Sequence, residues 1–236
     1  MIIKEQKSRT GNMYQFVDET WNPIVGKCFH ECAYCYVRKR CKNQKGIRLN
    51  SKTLYRDLGS GNTIFPVSGS DMFAENVPEL WILQILNRCH ATNVNLPDHK
   101  NSFMFQTKNP KRVLEFINHP IFKDETTKVC TTIETNRWYG EMGKAPTTDN
   151  RADAMAEIAR KGIATIVTAE PLMLFDHEKM IEIIKRCNPE QVNIGKNTNY
   201  NIKLPEPTAD EVKRLIDEIE KFSKVVIKSN ALSWIE

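Results

Sequence analysis

The sequence predicts an α/β fold, a partial (β/α)6, TIM-like barrel open along one side, and three observations predict it. Short β-rich runs alternate with helical runs roughly every thirty to forty residues, the rhythm of βαβ units with parallel strands. The strand-like runs number six or seven, too few to close an eight-stranded barrel. Most of them end in polar or glycine residues, so the carboxyl ends of the strands gather on one edge, where barrels of this kind place their chemistry.

Residues 1–18 are polar and irregular, with Thr10, Gly11 and Asn12 as a turn signal. They read as an N-terminal extension packed on a single domain spanning 19–236. Residues 20–25 form a short strand ended by Gly26, which delivers the chain to Cys28-Phe29-His30-Glu31-Cys32-Ala33-Tyr34-Cys35, and residues 36–42 suit a helix. A second strand, 63–67, breaks into Ser68-Gly69-Ser70-Asp71. There Gly69 offers backbone angles that other residues avoid, while the hydroxyls and Asp71 supply donors and acceptors. Residues 78–89 read as a helix apolar almost all round, as a buried helix is.

The third strand, 102–107, ends at Lys108, and the fourth, 128–133, leads to Glu134. The connection from 136 to 150 is long, and such loops in compact domains are usually functional or disordered. Its Trp138 and Tyr139 either stack a planar substrate or close the barrel. A helix over 151–161 stops at Gly162, and 163–169 is the clearest buried strand, ending at Glu170. Asp176 caps a helix through Arg186, and 191–194 is a strand ending in Gly195 and Lys196. Thr208 to Glu211 is a capping box opening a one-sided helix with Val212, Leu215, Ile216, Ile219 and Phe222. Residues 224–228 make the last strand, ending at Lys228.

The 236 residues suffice for one sizeable core, and contents of 40% hydrophobic and 27% charged residues are those of an ordinary globular protein. No apolar run is long enough to span a bilayer and no leader pattern opens the chain, so the expected location is cytoplasmic, with no membrane partner. A formal net charge of +5 permits a polyanionic partner without demanding one. The densest basic run, Lys27, Arg38, Lys39, Arg40, Lys42, Lys45 and Arg48, is either a solvated helix and loop or a nucleic-acid contact.

Three thiols spaced Cys-x3-Cys-x2-Cys cannot pair evenly, and a reducing compartment offers no oxidant, so Cys28, Cys32 and Cys35 read as metal ligands. Thiolates suit an iron–sulfur cluster or zinc. Three of them either need a distant fourth ligand, for which Cys41 or His30 is at hand, or leave one metal position open for chemistry. The remaining thiols, Cys41, Cys89, Cys130 and Cys187, read as buried or free.

The cysteine spacing with Tyr34 before the last thiol resembles the signature of the radical S-adenosylmethionine (radical SAM) superfamily. Thr-Trp-Asn-Pro at 20–23, Ser-Gly-Ser-Asp-Met-Phe at 68–73, Gln-Thr-Lys-Asn-Pro at 106–110 and Ala-Glu-Pro-Leu at 169–172 resemble uncharacterised phage-associated radical SAM-like proteins related to the spore photoproduct lyase branch. The resemblance implies a barrel of the radical SAM type, a 4Fe-4S cluster on Cys28, Cys32 and Cys35, and S-adenosyl-L-methionine on its fourth iron. It implies that Tyr34 contacts adenine, Ser68 or Ser70 with Asp71, on the segment that carries Gly69, the methionine amino end, Lys108 the carboxylate, and Thr132 or Glu134 the ribose. The Ser-Gly-Ser-Asp stretch departs from the usual Gly-Gly-Glu. Cys130, Glu170 and Lys228 are the catalytic candidates: Cys130 because that branch uses a thiol as hydrogen donor, against which stands core packing inside a strand, and the other two as polar strand ends.

The implied reaction is one-electron reductive cleavage of SAM, with flavodoxin or ferredoxin as electron donor, to methionine and a 5′-deoxyadenosyl radical that abstracts a substrate hydrogen. A nucleotide or nucleic-acid base, as in DNA hypermodification, is the leading substrate class, and a small metabolite or peptide the second. A zinc-stabilised nucleic-acid-binding module without catalysis is the reading from another class.

Overall fold

The computed structural model of the chain describes residues 2–4, 13–40 and 45–236. Its strands are β1 (Ile2–Lys4), β2 (Glu19–Trp21), β3 (Ile24–Val25), β4 (Arg48–Leu49), β5 (Thr63–Pro66), β6 (Ser102–Thr107), β7 (Thr127–Thr132), β8 (Ala164–Ala169), β9 (Gln191–Ile194) and β10 (Lys224–Ile227). Its helices are α1 (Tyr36–Arg40), α2 (Ser51–Leu54), α3 (Glu79–Val94), α4 (Pro110–Val113), α5 (Thr148–Arg160), α6 (His177–Arg186) and α7 (Ala209–Ile219). Eight strands form one sheet in the order β1-β10-β9-β8-β7-β6-β5-β2, and every pairing in it is parallel. β3 and β4 make a separate antiparallel pair.

The parallel sheet follows from the sequence rhythm, since parallel neighbours need a crossover and the helices supply it. Side chains alternate across each strand, and the two faces have different fates. Phe103 and Phe105 of β6, Val129 of β7 and Val167 of β8 join the main core under the helices. Met104, Cys130 and Ile166 point the other way, into a small inner cluster with Phe65 and Tyr14. α7 docks on the outer face through Val212, Leu215, Ile216 and Ile219, each buried aliphatic contributing roughly 1.5–3 kcal/mol. Its start is fixed by the Thr208–Glu211 capping box. α5 starts at Thr147, whose hydroxyl accepts from the Asn150 N–H at 3.3 Å.

Several local expectations are corrected. Ile2–Lys4, read as irregular, pairs with β10 as an edge strand. The strand expected over 20–25 is split, because the chain leaves the large sheet at Asn22-Pro23 and pairs with β4 beyond it. The split lets the Asn22 carboxamide oxygen accept from the Gly69 N–H at 2.8 Å. α3 runs on to Val94 and is not buried all round: Leu80 is 65% exposed. Asp176 stands at the N-cap of α6 but caps nothing with its side chain, which is taken by Arg137 at 2.6 Å and Asn136 at 2.8 Å. Among the described residues no helix is long and apolar enough to cross a membrane.

Candidate active site

The cysteine loop lies beyond β3 and is held largely by main-chain hydrogen bonds. The Ala33 N–H donates to the Glu141 carbonyl at 2.8 Å, and the Lys144 N–H to the His30 carbonyl at 2.7 Å. The Arg38 guanidinium donates to the Glu31 carbonyl, and the Glu31 carboxylate is paired with Lys27 and Lys144. Hydrogen bonds from those two lysines, Lys144 first, hold the Glu31 carboxyl down at about 2. Gly143 makes the clamp possible: a Cβ there would sit 2.1 Å from the His30 carbonyl oxygen, and its φ of +67° is strained for any side chain. The long connection thus grips the cysteine loop. Its aromatics part company, with Trp138 68% exposed and Tyr139 packed beside Cys32, Tyr34, Met142 and Met173.

Cys28, Cys32 and Cys35 are free thiols lining one cavity of about 390 Å³ at the carboxyl ends of the strands. Ser68, Gly69, Ser70 and Asp71 form one wall of it, and Tyr34, Lys108 and Thr132 also line it. Glu170, Lys196 and Lys228 come from the ends of β8, β9 and β10. Burial, with the Asp71 charge next, pushes the Cys28 thiol up to about 12 despite the His30 N–H, and burial raises Cys32 as well. A metal held on these thiols would have to displace their protons, as thiolate metal sites do.

The cavity fits the cofactors implied by the sequence in its donor set. Three soft thiols share one loop, near enough for Cys28 to feel the charges of Cys32 and Cys35. The buried Ser70 hydroxyl and His30 Nδ1 have no hydrogen-bond partner among the described residues. Among those residues no three Cys, His, Asp or Glu side chains are grouped as the ligands of a single metal ion. His30 is engaged elsewhere through Nε2, 2.7 Å from Asp71 Oδ2, and Cys41 lies outside the described residues.

Asp71 is buried among donors. Its Oδ2 accepts from His30, from the Thr107 hydroxyl at 2.9 Å and from the Lys108 N–H at 2.8 Å, and Oδ1 accepts from the Phe73 N–H at 2.9 Å. Burial alone would raise its carboxyl; the His30 hydrogen bond and the main-chain donors win and lower it. The unusual backbone expected at Gly69 falls instead on Val67, whose φ of 57° costs a β-branched residue roughly 1–3 kcal/mol, strain of a kind that clusters at functional sites.

Behind the cavity wall, fully buried Glu134 accepts from Tyr34, from Lys108 and from Arg151 at 2.7 Å. Burial would raise its carboxyl, yet Arg151 and Lys108 hold it down at about 2. Tyr34 is pushed the other way by burial and by the Glu134 charge. Glu134 itself does not line the cavity, so the ribose contact expected of Glu134 or Thr132 is open only to Thr132 in this geometry.

At the other end of the cavity Lys228 donates to Glu170 Oε2 at 2.7 Å and Asn230 to Oε1 at 3.3 Å. Gly195 leaves room for that carboxylate, since a Cβ would meet the Glu170 side chain at 2.8 Å. Cys130 is fully buried and off the cavity wall, under Tyr14, and burial raises its thiol. Arg151, Asn230, Gly143 and Tyr14 escaped the sequence reading. Only Gly143, a glycine inside a long loop, carried a local signal.

No protein-family model matches the chain, and no curated protein matches it. Solved structures do. The complex of Streptococcus suis SuiB with its precursor peptide SuiA superposes with a TM-score of 0.57 at 14% identity, covering 91% of this chain and 50% of the other. SuiB alone gives 0.55 at 12%, covering 92% and 50%. SuiB bound to S-adenosylmethionine gives 0.52 at 11%, covering 88% and 46%. The chain spans about half the length of SuiB, and at such identities the shared property is the partial parallel barrel.

Proposed function

We propose that this chain is a radical SAM enzyme, with a 4Fe-4S cluster on Cys28, Cys32 and Cys35 and S-adenosylmethionine in the adjoining cavity. One observation carries the reading: the three thiols line the same cavity as the polar ends of β5, β6, β7, β8 and β10, on the edge where parallel barrels bind their ligands. The SAM-bound structure of SuiB, which has this fold, supports it. When bound, the cluster supplies the electron that cleaves SAM to methionine and a 5′-deoxyadenosyl radical.

The chain's own share is placement. Gly143 and its neighbours fix the loop that presents the thiols, and Tyr34, tied to Glu134, is held for the adenine. Ser70 offers an unpartnered hydroxyl to the methionine end. Asp71, with all its donors in place, acts there through His30 rather than by direct contact. Lys108 keeps its charge on Glu134 and Tyr34 and reaches the SAM carboxylate only from that position. Thr132, on the cavity wall, takes the ribose, and Glu170 with Lys228 faces the substrate.

For the substrate, a peptide is the favoured class, on the strength of SuiB with precursor peptide SuiA. A nucleotide or nucleic-acid base draws less support, because Lys27 and Arg38 of the basic run serve the cysteine loop itself. A cytoplasmic setting and a flavodoxin- or ferredoxin-type donor complete the proposal. The test is anaerobic purification with iron and sulfide counting, then dithionite reduction with SAM and chromatography for 5′-deoxyadenosine. About four irons and deoxyadenosine formation, both lost in Cys32→Ala, are expected. Stoichiometric zinc with intact SAM would overturn the reading in favour of a zinc-stabilised binding module.

A further inference from the structure

The inner face of the sheet is built in levels, because side chains on one face recur at every second residue. The lower level is Phe65, Met104, Cys130 and Ile166. Two residues further along their strands come Gln106, Thr132 and Thr168, and past the strand ends Lys108 and Glu170 line the cavity. Tyr14 lies across the lower level, 5% exposed, with Phe16 stacked on it at 5.2 Å and Phe65 at 6.4 Å. Its hydroxyl donates to Gln106 Oε1 at 3.0 Å, in the level above. The Lys228 ammonium stands 4.2 Å over its ring and is itself held by Glu170.

The cavity stops at this ring. Tyr14, Gln106 and Lys228 line it, and of the lower level only Phe65 does; Met104, Cys130 and Ile166 do not. We propose that Tyr14 is the specificity-determining floor of the cavity: it sets how deep a substrate group enters, and it seals the lower barrel, with the Cys130 thiol, off from the reacting zone. The floor it presents is an aromatic face topped by the Lys228 amine and the Glu170 carboxylate, polar groups that favour a substrate group able to hydrogen-bond over a long apolar chain. The seal has a chemical use that rests on the radical reading. A thiol reached by a carbon-centred radical gives up its hydrogen atom, the radical becoming C–H and the thiol a thiyl, and the reaction on substrate ends.

The test needs neither cofactor nor substrate. The full chain, purified anaerobically, is treated with methyl methanethiosulfonate, or with the bulkier N-ethylmaleimide, and the modified cysteines are located by peptide mapping. Cys89 and Cys187, fully buried, report any global unfolding. In wild type and in Tyr14→Phe, Cys130 should stay unmodified with both reagents. In Tyr14→Ala the small reagent should modify Cys130 on the order of tenfold faster or more, with Cys89 and Cys187 unchanged. An unchanged Cys130 rate in Tyr14→Ala overturns the proposal. If all three thiols open together in that variant, Tyr14→Leu decides: selective, intermediate labelling of Cys130 supports the floor, and labelling as in wild type overturns it. Failure of SAM cleavage bears on the enzyme reading alone and leaves the labelling result intact.

Discussion

Glu134 and Glu170 follow neighbouring parallel strands, each just past the strand's end and each with a lysine partner, yet their surroundings are opposite. Glu134 is sealed off, with Arg151, Lys108 and Tyr34 on its two oxygens. Glu170 keeps 16% side-chain exposure on the cavity, with the Lys228 amine and the Asn230 amide among its partners. The lesson is that one residue type at equivalent places on the sheet divides into a buried brace and a cavity-lining carboxylate. A carboxylate between two cations is fixed as an anion and ties β7 to β6, α5 and the cysteine loop. A carboxylate that keeps part of its surface on the cavity wall is in reach of what enters the cavity.

The largest expected effect breaks the brace. Arg151→Ala leaves Glu134 with a single cation in a dry site, and unfolding in urea should show a loss of about 3–5 kcal/mol. The comparison fails if Lys228→Ala, which leaves Glu170 open to cavity water, costs as much. Acid gives the next effect. The folded-state carboxyl of Glu134 is lowered from 4.5 to about 2. Its contribution, on the order of 3 kcal/mol, is therefore complete above the unfolded value and lost as pH falls through the folded one. Thermal unfolding between pH 5 and pH 2 should show this fall in wild type and a flatter profile in Glu134→Gln.

A smaller effect tests the grip on the cysteine loop. Gly143→Ala forces a side chain against the His30 carbonyl at an unfavourable φ, and should cost about 1–3 kcal/mol with a lower iron content after reconstitution. Normal iron content would mean that the loop does not need the clamp. The smallest stability effect belongs to Glu170→Gln, which keeps an acceptor for Lys228. Its unfolding free energy in urea should change by about 1 kcal/mol or less while turnover of substrate falls. Equal damage to stability from Glu134→Gln and Glu170→Gln would erase the distinction between them.

The fold was legible because its signals are periodic. β6, β8 and β9 fall within a residue of where alternation and turn residues put them, and Thr208 with Glu211 marks α7 to the residue. β1 was missed because three residues at a sheet edge carry no pattern of their own and exist only through pairing with β10. The cysteines were legible as a local motif, and the strand ends that meet them followed from parallel topology. What could not be read was side-chain partnership at long range. Nothing in the residues around Arg151 says that it reaches Glu134 rather than solvent, and nothing near Tyr14 says that it lies over Cys130. The aromatic pair shows the same limit: Trp138 and Tyr139, neighbours in sequence left open between two roles, point to different environments.

The two edges of the large sheet are β1 and β2, both from the start of the chain. Ile2 lies opposite Val225, so that edge cannot zip until the chain has been made through β10, whereas β2 can meet β5 early. In biosynthetic terms β1 precedes the other strands of this sheet yet is seated only after β10, a long-range closure of the kind that slows folding. Until then β10 is a bare edge, open to pairing with another chain. The segment carrying Tyr14 lies in sequence between these edge strands and packs on Phe65 of β5, so the floor of the barrel can seat with the early edge before the late one is covered.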